Sequence, residues 1–247
     1  MPRRPQDKAL DALPTSPETR PAAGFEIAAV SHRLLGREVL SGVTLSIAER
    51  RVALIGANGS GKTTFARCLN GLIVPDEGTV AIDGLDTRSQ GAEVRRRVGY
   101  LFQNADHQIV YPVVDEEIGF GLRNMGRTRE ETAVAVADIL ARFDAGHLAE
   151  RPVHALSGGE KRLVTLLSVL VMQPRHLVLD EPTTGLDHGQ KRRLADLVAG
   201  LPQSVVMITH DFEQIRNFDR AIAFQGGRVV LDGEPRFVVP RWIEAYS

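Results

Sequence analysis

The sequence predicts an α/β fold: a parallel sheet at its core, a flanking antiparallel β subdomain and a helical subdomain. Three observations point there. Short runs rich in Val, Ile and Leu recur from Phe25 onward and alternate with segments of helix length. Later runs, such as residues 177–179, are apolar without alternation, the pattern of strands covered on both faces of a parallel sheet. Residues 104–157 carry mostly helical periodicity and no clear strand, so a helical insert is expected there.

Taken in order, residues 1–24 hold Pro2, Pro5, Pro14, Pro17 and Pro21. Prolines at that spacing block helix and ladder hydrogen bonds alike, and the segment reads as a disordered tail. No apolar stretch follows Arg3 and Arg4, so it does not read as a secretory signal. Strands are expected at residues 25–30, 43–47, 52–55, 79–82, 98–102, 177–179, 205–208, 221–224 and 228–231. Helices are expected near residues 62–71, 113–125, 130–142, 158–172 and 187–199. The early strands, joined by tight turns, belong to the antiparallel part. One domain over residues 25–240 and a short C-terminal tail over 241–247 complete the plan.

Composition narrows the function. The 247 residues include 30 basic and 31 acidic side chains, a formal charge of -1. That balance argues against a dedicated nucleic-acid binder, which carries a basic excess. Cys68 is the single cysteine, which excludes an intrachain disulfide and a cysteine-rich metal site. The most apolar run, residues 163–172, is too short to cross a membrane and is interrupted by Thr165 and Ser168.

The strand at 52–55 runs into Gly56-Ala57-Asn58-Gly59-Ser60-Gly61-Lys62-Thr63, a full G-x-x-x-x-G-K-T. Its glycines let successive N–H groups turn inward towards phosphate oxygens, and the helix opening at Gly61 adds its positive dipole end. Lys62 is placed on the β- and γ-phosphates, the Thr63 hydroxyl on Mg2+, and Thr64 follows in the same helix turn. The motif predicts a P-loop core that binds a nucleoside triphosphate.

His176-Leu177-Val178-Leu179-Asp180-Glu181 is an apolar strand ending in two acids. With a phosphate loop in the same chain, Asp180 is expected in the Mg2+ shell, and Glu181 beside the γ-phosphate where it can polarise an attacking water. Leu156-Ser157-Gly158-Gly159-Glu160 opens a helix that is apolar on nearly all faces and therefore buried. A serine before two glycines is an ordinary N-cap. It also makes a second anion site, from Ser157, the Gly159 amide and the helix dipole. One nucleotide needs one phosphate loop, so a second anion site would serve a neighbour's nucleotide.

With these motifs the sequence closely resembles the ATP-binding-cassette ATPases over residues 25–235. That family pairs the phosphate loop with a Leu-Ser-Gly-Gly-Gln signature, here residues 156–160 with Glu in the last place. The resemblance implies further roles. Gln103 matches the glutamine loop that meets Mg2+ and the membrane partner, and Gly185-Leu186-Asp187 matches the loop that communicates between protomers. His210 matches the switch histidine that contacts the γ-phosphate. Two copies are then expected to close head-to-tail around two ATP, each phosphate loop facing the other copy's Ser157, Gly158 and Gly159. Members usually stack an aromatic on adenine; here the aligned position is Leu34, with His32 nearby.

Residues 102–126, FQNADHQIVYPVVDEEIGFGLRNMG, are similar to the glutamine-loop region of energy-coupling-factor ATPases, the group that includes biotin, cobalt and nickel importers. Ala105 stands where those relatives carry Pro. The resemblance implies a peripheral ATPase at the cytoplasmic face of the membrane. Its partners would be a transmembrane coupling subunit, contacted near Gln108, Ile109 and Tyr111, and a small substrate-binding membrane protein. Thirty-seven residues follow His210, so the extra C-terminal dimerisation domain of many members is expected to be absent, which leans towards a biotin importer. A conventional importer or an exporter shares every motif except the 108–120 pattern. A soluble cassette working on DNA or ribosomes is the remaining alternative, disfavoured by one cassette and no extended heptads between residues 64 and 156.

Overall fold

The computed structural model describes residues 24–246; the tail expected over residues 1–24 lies, Gly24 apart, outside them. The described chain forms two compact units. One comprises the chain up to Tyr100, Arg175–Pro182 and the chain from Gln203 on; the other comprises Leu101–Pro174 and Thr183–Pro202.

The first unit holds two sheets. Strands β1 (Phe25–Leu34), β2 (Arg37–Ile47), β4 (Glu77–Ile82) and β5 (Leu85–Asp86) form an antiparallel sheet in the order β2-β1-β4-β5. Alternation sets its register: Phe25 pairs with both Ile47 and Ile82, and these buried side chains share one face while Glu26 and Ser46 point out. The second sheet has six strands in the order β10-β9-β3-β8-β7-β6. Its members are β3 (Arg51–Gly56), β6 (Val98–Leu101), β7 (His176–Asp180), β8 (Ser204–Ile208), β9 (Arg220–Gln225) and β10 (Arg228–Gly233).

In that sheet β3 runs parallel to β8 and β9, and β7 parallel to β8. Helix α1 (Lys62–Leu69) packs against both sheets with Phe65, Ala66, Cys68 and Leu69 buried. The register pairs Leu54 and Asp180 with Ile208, so β3, β7 and β8 end at one edge of the sheet. Ligands of open α/β sheets bind at that carboxyl edge.

Two helices of this unit escape the sequence reading. The short α2 (Gly91–Arg97) buries only Val94, too little for a periodic signal. Helix α7 (Pro235–Tyr246) takes up residues expected as a C-terminal tail, a correction to that reading. Pro235 and Pro240 conceal it in the sequence. Val238 and Trp242, four apart on one face, seat it on Ala53, Ile55, Ala221 and Ala223.

The second unit is helical: α3 (Val114–Asn124), α4 (Arg129–Arg142), α5 (Gly158–Leu170) and α6 (His188–Gly200). It extends beyond the 104–157 insert read from the sequence, because α3 packs on α5 as well as on α4. Capping boxes start three of its helices, at Thr128, Ser157 and Asp187. Among the described residues no helix is long and apolar enough to cross a membrane.

Candidate nucleotide site and signature helix

The loop after β3 is shaped by close approach. At Gly56 (φ 146°) a Cβ would lie 2.3 Å from the Phe224 carbonyl oxygen, and at Gly61 (φ 105°) 2.5 Å from that of Val39. Only glycine fits either place. Ala57, Asn58 and Gly59 form the exposed tip, and Ser60 is buried. Gly61 caps α1 without a side chain, so the first N–H groups of the helix stay directed at the loop. Lys62 folds back under this loop and its Nζ donates to the carbonyls of Gly56 (2.7 Å) and Ala57 (2.8 Å). Burial lowers the Lys62 pKa, against the pull of Glu181 and Asp180.

Thr63 Oγ1 donates to Asp180 Oδ1 at 3.3 Å, and Thr64 lies half-buried beside it. The other Asp180 oxygen accepts from the Tyr100 hydroxyl at 3.0 Å. Asp180 is buried, which raises its pKa, while the bonds from Tyr100 and Thr63 oppose the rise. The Thr63 hydroxyl and the Asp180 carboxylate are hard oxygens within hydrogen-bond distance of each other. Magnesium takes one or two carboxylates and completes its shell with phosphate oxygens and water, so this donor set fits it.

Glu181 leaves β7 in the left-handed region (φ 47°), with its N–H donating to the Ile208 carbonyl at 3.0 Å. Such a conformation costs on the order of 1–3 kcal/mol and persists where surroundings over-determine it. It turns the carboxylate to within 3.1 Å of His210 Nε2. Burial pushes the Glu181 pKa up to about 7, against the Lys62 charge. The His210 pKa is lowered by burial and then by Lys62. A carboxylate poised near neutrality beside an imidazole can take a proton from water.

This unit therefore brings Lys62, Thr63, Asp180, Glu181 and His210 to one sheet edge. Leu34 sits half-exposed at the tip of the β1–β2 hairpin, where it pairs with Arg37. His32 is turned to Asp76 (Nδ1 to Oδ2 3.1 Å), and Leu34 and Leu35 together present the apolar surface at the tip.

In the helical unit Ser157 caps α5. Its Oγ accepts from the Glu160 N–H (3.3 Å), and its own N–H donates to Glu160 Oε2 (2.7 Å). Gly158 and Gly159 form the first turn, and Gly159 lies against Gln190, whose Nε2 would be 2.5 Å from a Cβ there. Gln190 also completes the capping box of Asp187. Gln103 is exposed, and its carbonyl is gripped from α5: Arg162 Nη2 donates to it and Nη1 to Phe102 O, both at 2.6 Å. Gln108 is spent on structure, accepting from Phe102 N (3.1 Å) and donating to Thr165 O (2.9 Å). Tyr111 packs on Phe120 with Arg123 over its ring.

Three residues were not singled out by motif: Tyr100, Arg151 and Arg162. The signal for Arg162 was available, a buried arginine beside the apolar stretch of α5; Tyr100 and Arg151 left none.

Residues 40–184 match the family model described as ABC transporter. The chain belongs to the ABC transporter family. This ABC ATPase is 45% identical over 211 residues to an ABC transporter ATP-binding protein of Deinococcus radiodurans, covering 85% of this chain and 93% of that protein. It is 43% identical over 220 residues to the biotin transport ATP-binding protein BioM of Rhizobium etli, covering 89% and 97%. Its fold is similar to that of cbiO1 from Clostridium perfringens, described as part of the ABC transporter complex cbiONQ (TM-score 0.76, 28% identity, 91% and 96% covered). It is likewise similar to a dimeric, post-hydrolysis structure of the ATP-binding cassette MJ0796 with ADP and Pi (TM-score 0.76, 26% identity, 86% and 99% covered). The chain is thus an ATP-binding subunit of an ABC transporter, and its reaction is ATP hydrolysis coupled to transport.

Proposed function

We propose that this ATPase powers a membrane importer of the energy-coupling-factor type that takes up a vitamin or a transition-metal ion, biotin in first place. The carrying observation is the 43% identity to a biotin transport ATP-binding protein along 97% of that protein's length. The 42% identity to a cobalt import ATP-binding protein, CbiO of Syntrophus aciditrophicus, supports cobalt as the second reading, with nickel beside it. The chain works at the cytoplasmic face of the membrane, beside a transmembrane coupling subunit and a small membrane protein that binds the solute.

In this reading the N–H groups of residues 56–61 and the Lys62 ammonium hold the β- and γ-phosphates. Thr63, Asp180 and Gln103 are the residues that would hold Mg2+, which when bound offsets the charge of the phosphates. Tyr100 fixes one Asp180 oxygen so that the other stays with Thr63. Glu181 takes a proton from the attacking water, and His210 holds that carboxylate and meets the γ-phosphate. Two copies close head-to-tail, and Ser157, Gly158, Gly159 and Asp187 of one copy complete the site of the other. Leu34 makes apolar contact with the base.

A gentle detergent pull-down of the tagged chain from native membranes, with partners identified by mass, tests the assignment. One coupling subunit with one small membrane protein retaining biotin is the expected result. The same pair retaining cobalt or nickel favours the second reading. Two large permease chains overturn both.

A further inference from the structure

A helix start that receives phosphate is an awkward place for a carboxylate. Glu160 stands in the first turn of α5, three residues after the Ser157 cap, and its charge would repel an approaching phosphate group. The structure meets this charge from outside the helix. Arg151 Nη1 donates to Glu160 Oε1 at 2.8 Å, while Nη2 donates to the Ala155 carbonyl at 3.0 Å. The guanidinium thus spans the turn into the signature helix and puts a positive charge on the one Glu160 oxygen that the Ser157 N–H does not hold.

We propose that Arg151 is a positioning residue for hydrolysis: it neutralises Glu160, so that α5 keeps a phosphate-receptive start although its first turn carries a carboxylate. This rests on the reading that the signature of one copy faces the nucleotide of the other. The ion pair is part-exposed, with 39% and 29% of the two side chains accessible, so the repulsion it relieves is that of a high effective dielectric.

The test is a double-mutant cycle in the ATPase rate of the full-length chain, with Arg151→Ala, Glu160→Gln and the combination. Removing Arg151 is expected to lower kcat roughly fivefold when Glu160 is present and less than about twofold in the Glu160→Gln background. The deficit of Arg151→Ala shrinks as salt is raised, because salt screens the exposed carboxylate. Arg151→Lys keeps the charge, gives up the fork to Ala155 and retains most of the rate. Equal cost in both backgrounds, or an Arg151→Lys as slow as Arg151→Ala, overturns the proposal and reduces Arg151 to a prop for the 151–155 turn. Ser157→Ala is measured alongside. If it leaves kcat unchanged, the signature reading itself fails; if it slows hydrolysis while the cycle is additive, only the role of Arg151 falls.

Discussion

His210 Nε2 lies 3.1 Å from Glu181 Oε1, and the sheet register brings them together. Strands β7 and β8 are parallel neighbours in which Asp180 pairs with Ile208, so the residues that follow each strand emerge side by side. The left-handed turn at Glu181 then swings its carboxylate towards the imidazole.

The first prediction concerns pH. Burial raises the Glu181 pKa from 4.5 to about 7 in the fold, so the fold favours the neutral acid. Between pH 4.5 and 7 the folded state holds a proton that the unfolded chain has released, and stability therefore falls as pH rises through that window. Glu181→Gln removes the penalty: its melting temperature is expected to exceed that of wild type at pH 8, and the gain to vanish near pH 4.5. Hydrolysis needs the ionised carboxylate, so the wild-type rate rises through pH 7. The variant loses about 10²–10⁴ in rate and accumulates an ATP-bound dimer. A Glu181→Gln protein that turns over at the wild-type rate removes Glu181 from this role.

Lys62→Ala tests the phosphate loop. The ammonium is buried, and it donates to the Gly56 and Ala57 carbonyls of the loop. Losing a charge-assisted bond there is expected to weaken ATP binding by about tenfold or more. Equilibrium titration with ATP measures this directly, and unchanged affinity contradicts the assignment.

The α/β plan and the motif-bearing ends of β3, β7 and β8 were legible in the sequence because periodicity and glycine spacing are local signals. The phosphate loop, Asp180, Glu181 and His210 stand on such ends. What was not legible depends on contacts between distant segments. Tyr100 meets Asp180 across eighty positions, and nothing in the residues around Tyr100 announces it. Helix α7 was hidden by its prolines and is held by Val238 and Trp242 on β9. Gln108 is placed by a resemblance near a partner's groove, yet both ends of its amide are bonded within its own unit.

Tyr100→Phe tests the support of Asp180. Burial already raises the Asp180 pKa, and the Tyr100 hydrogen bond holds it down. Without the hydroxyl the pKa climbs further and the ionised fraction at a given pH falls. The acid limb of the ATPase profile is expected to move to higher pH, with a higher Mg2+ concentration for half-maximal activity. A profile that overlays wild type shows that Thr63 alone suffices to hold the carboxylate.

Arg162→Leu tests the brace between the signature helix and the glutamine loop. Arg162 is 3% exposed, and its guanidinium donates to two carbonyls, Phe102 O and Gln103 O, at 2.6 Å each. Leucine suits the apolar surroundings of α5 but leaves both carbonyls without these donors, a loss of about 2–4 kcal/mol. For a chain of this size that lowers the melting temperature by roughly 4–16 °C. Arg162→Lys, a single point charge in place of a planar fork, is expected to fall between leucine and wild type. Because the fork fixes the backbone at Gln103, the effects of Arg162→Lys and Gln103→Ala on kcat are expected to be less than additive. Full additivity, with the loss of stability intact, makes Arg162 a structural clamp that leaves the position of Gln103 to the loop itself.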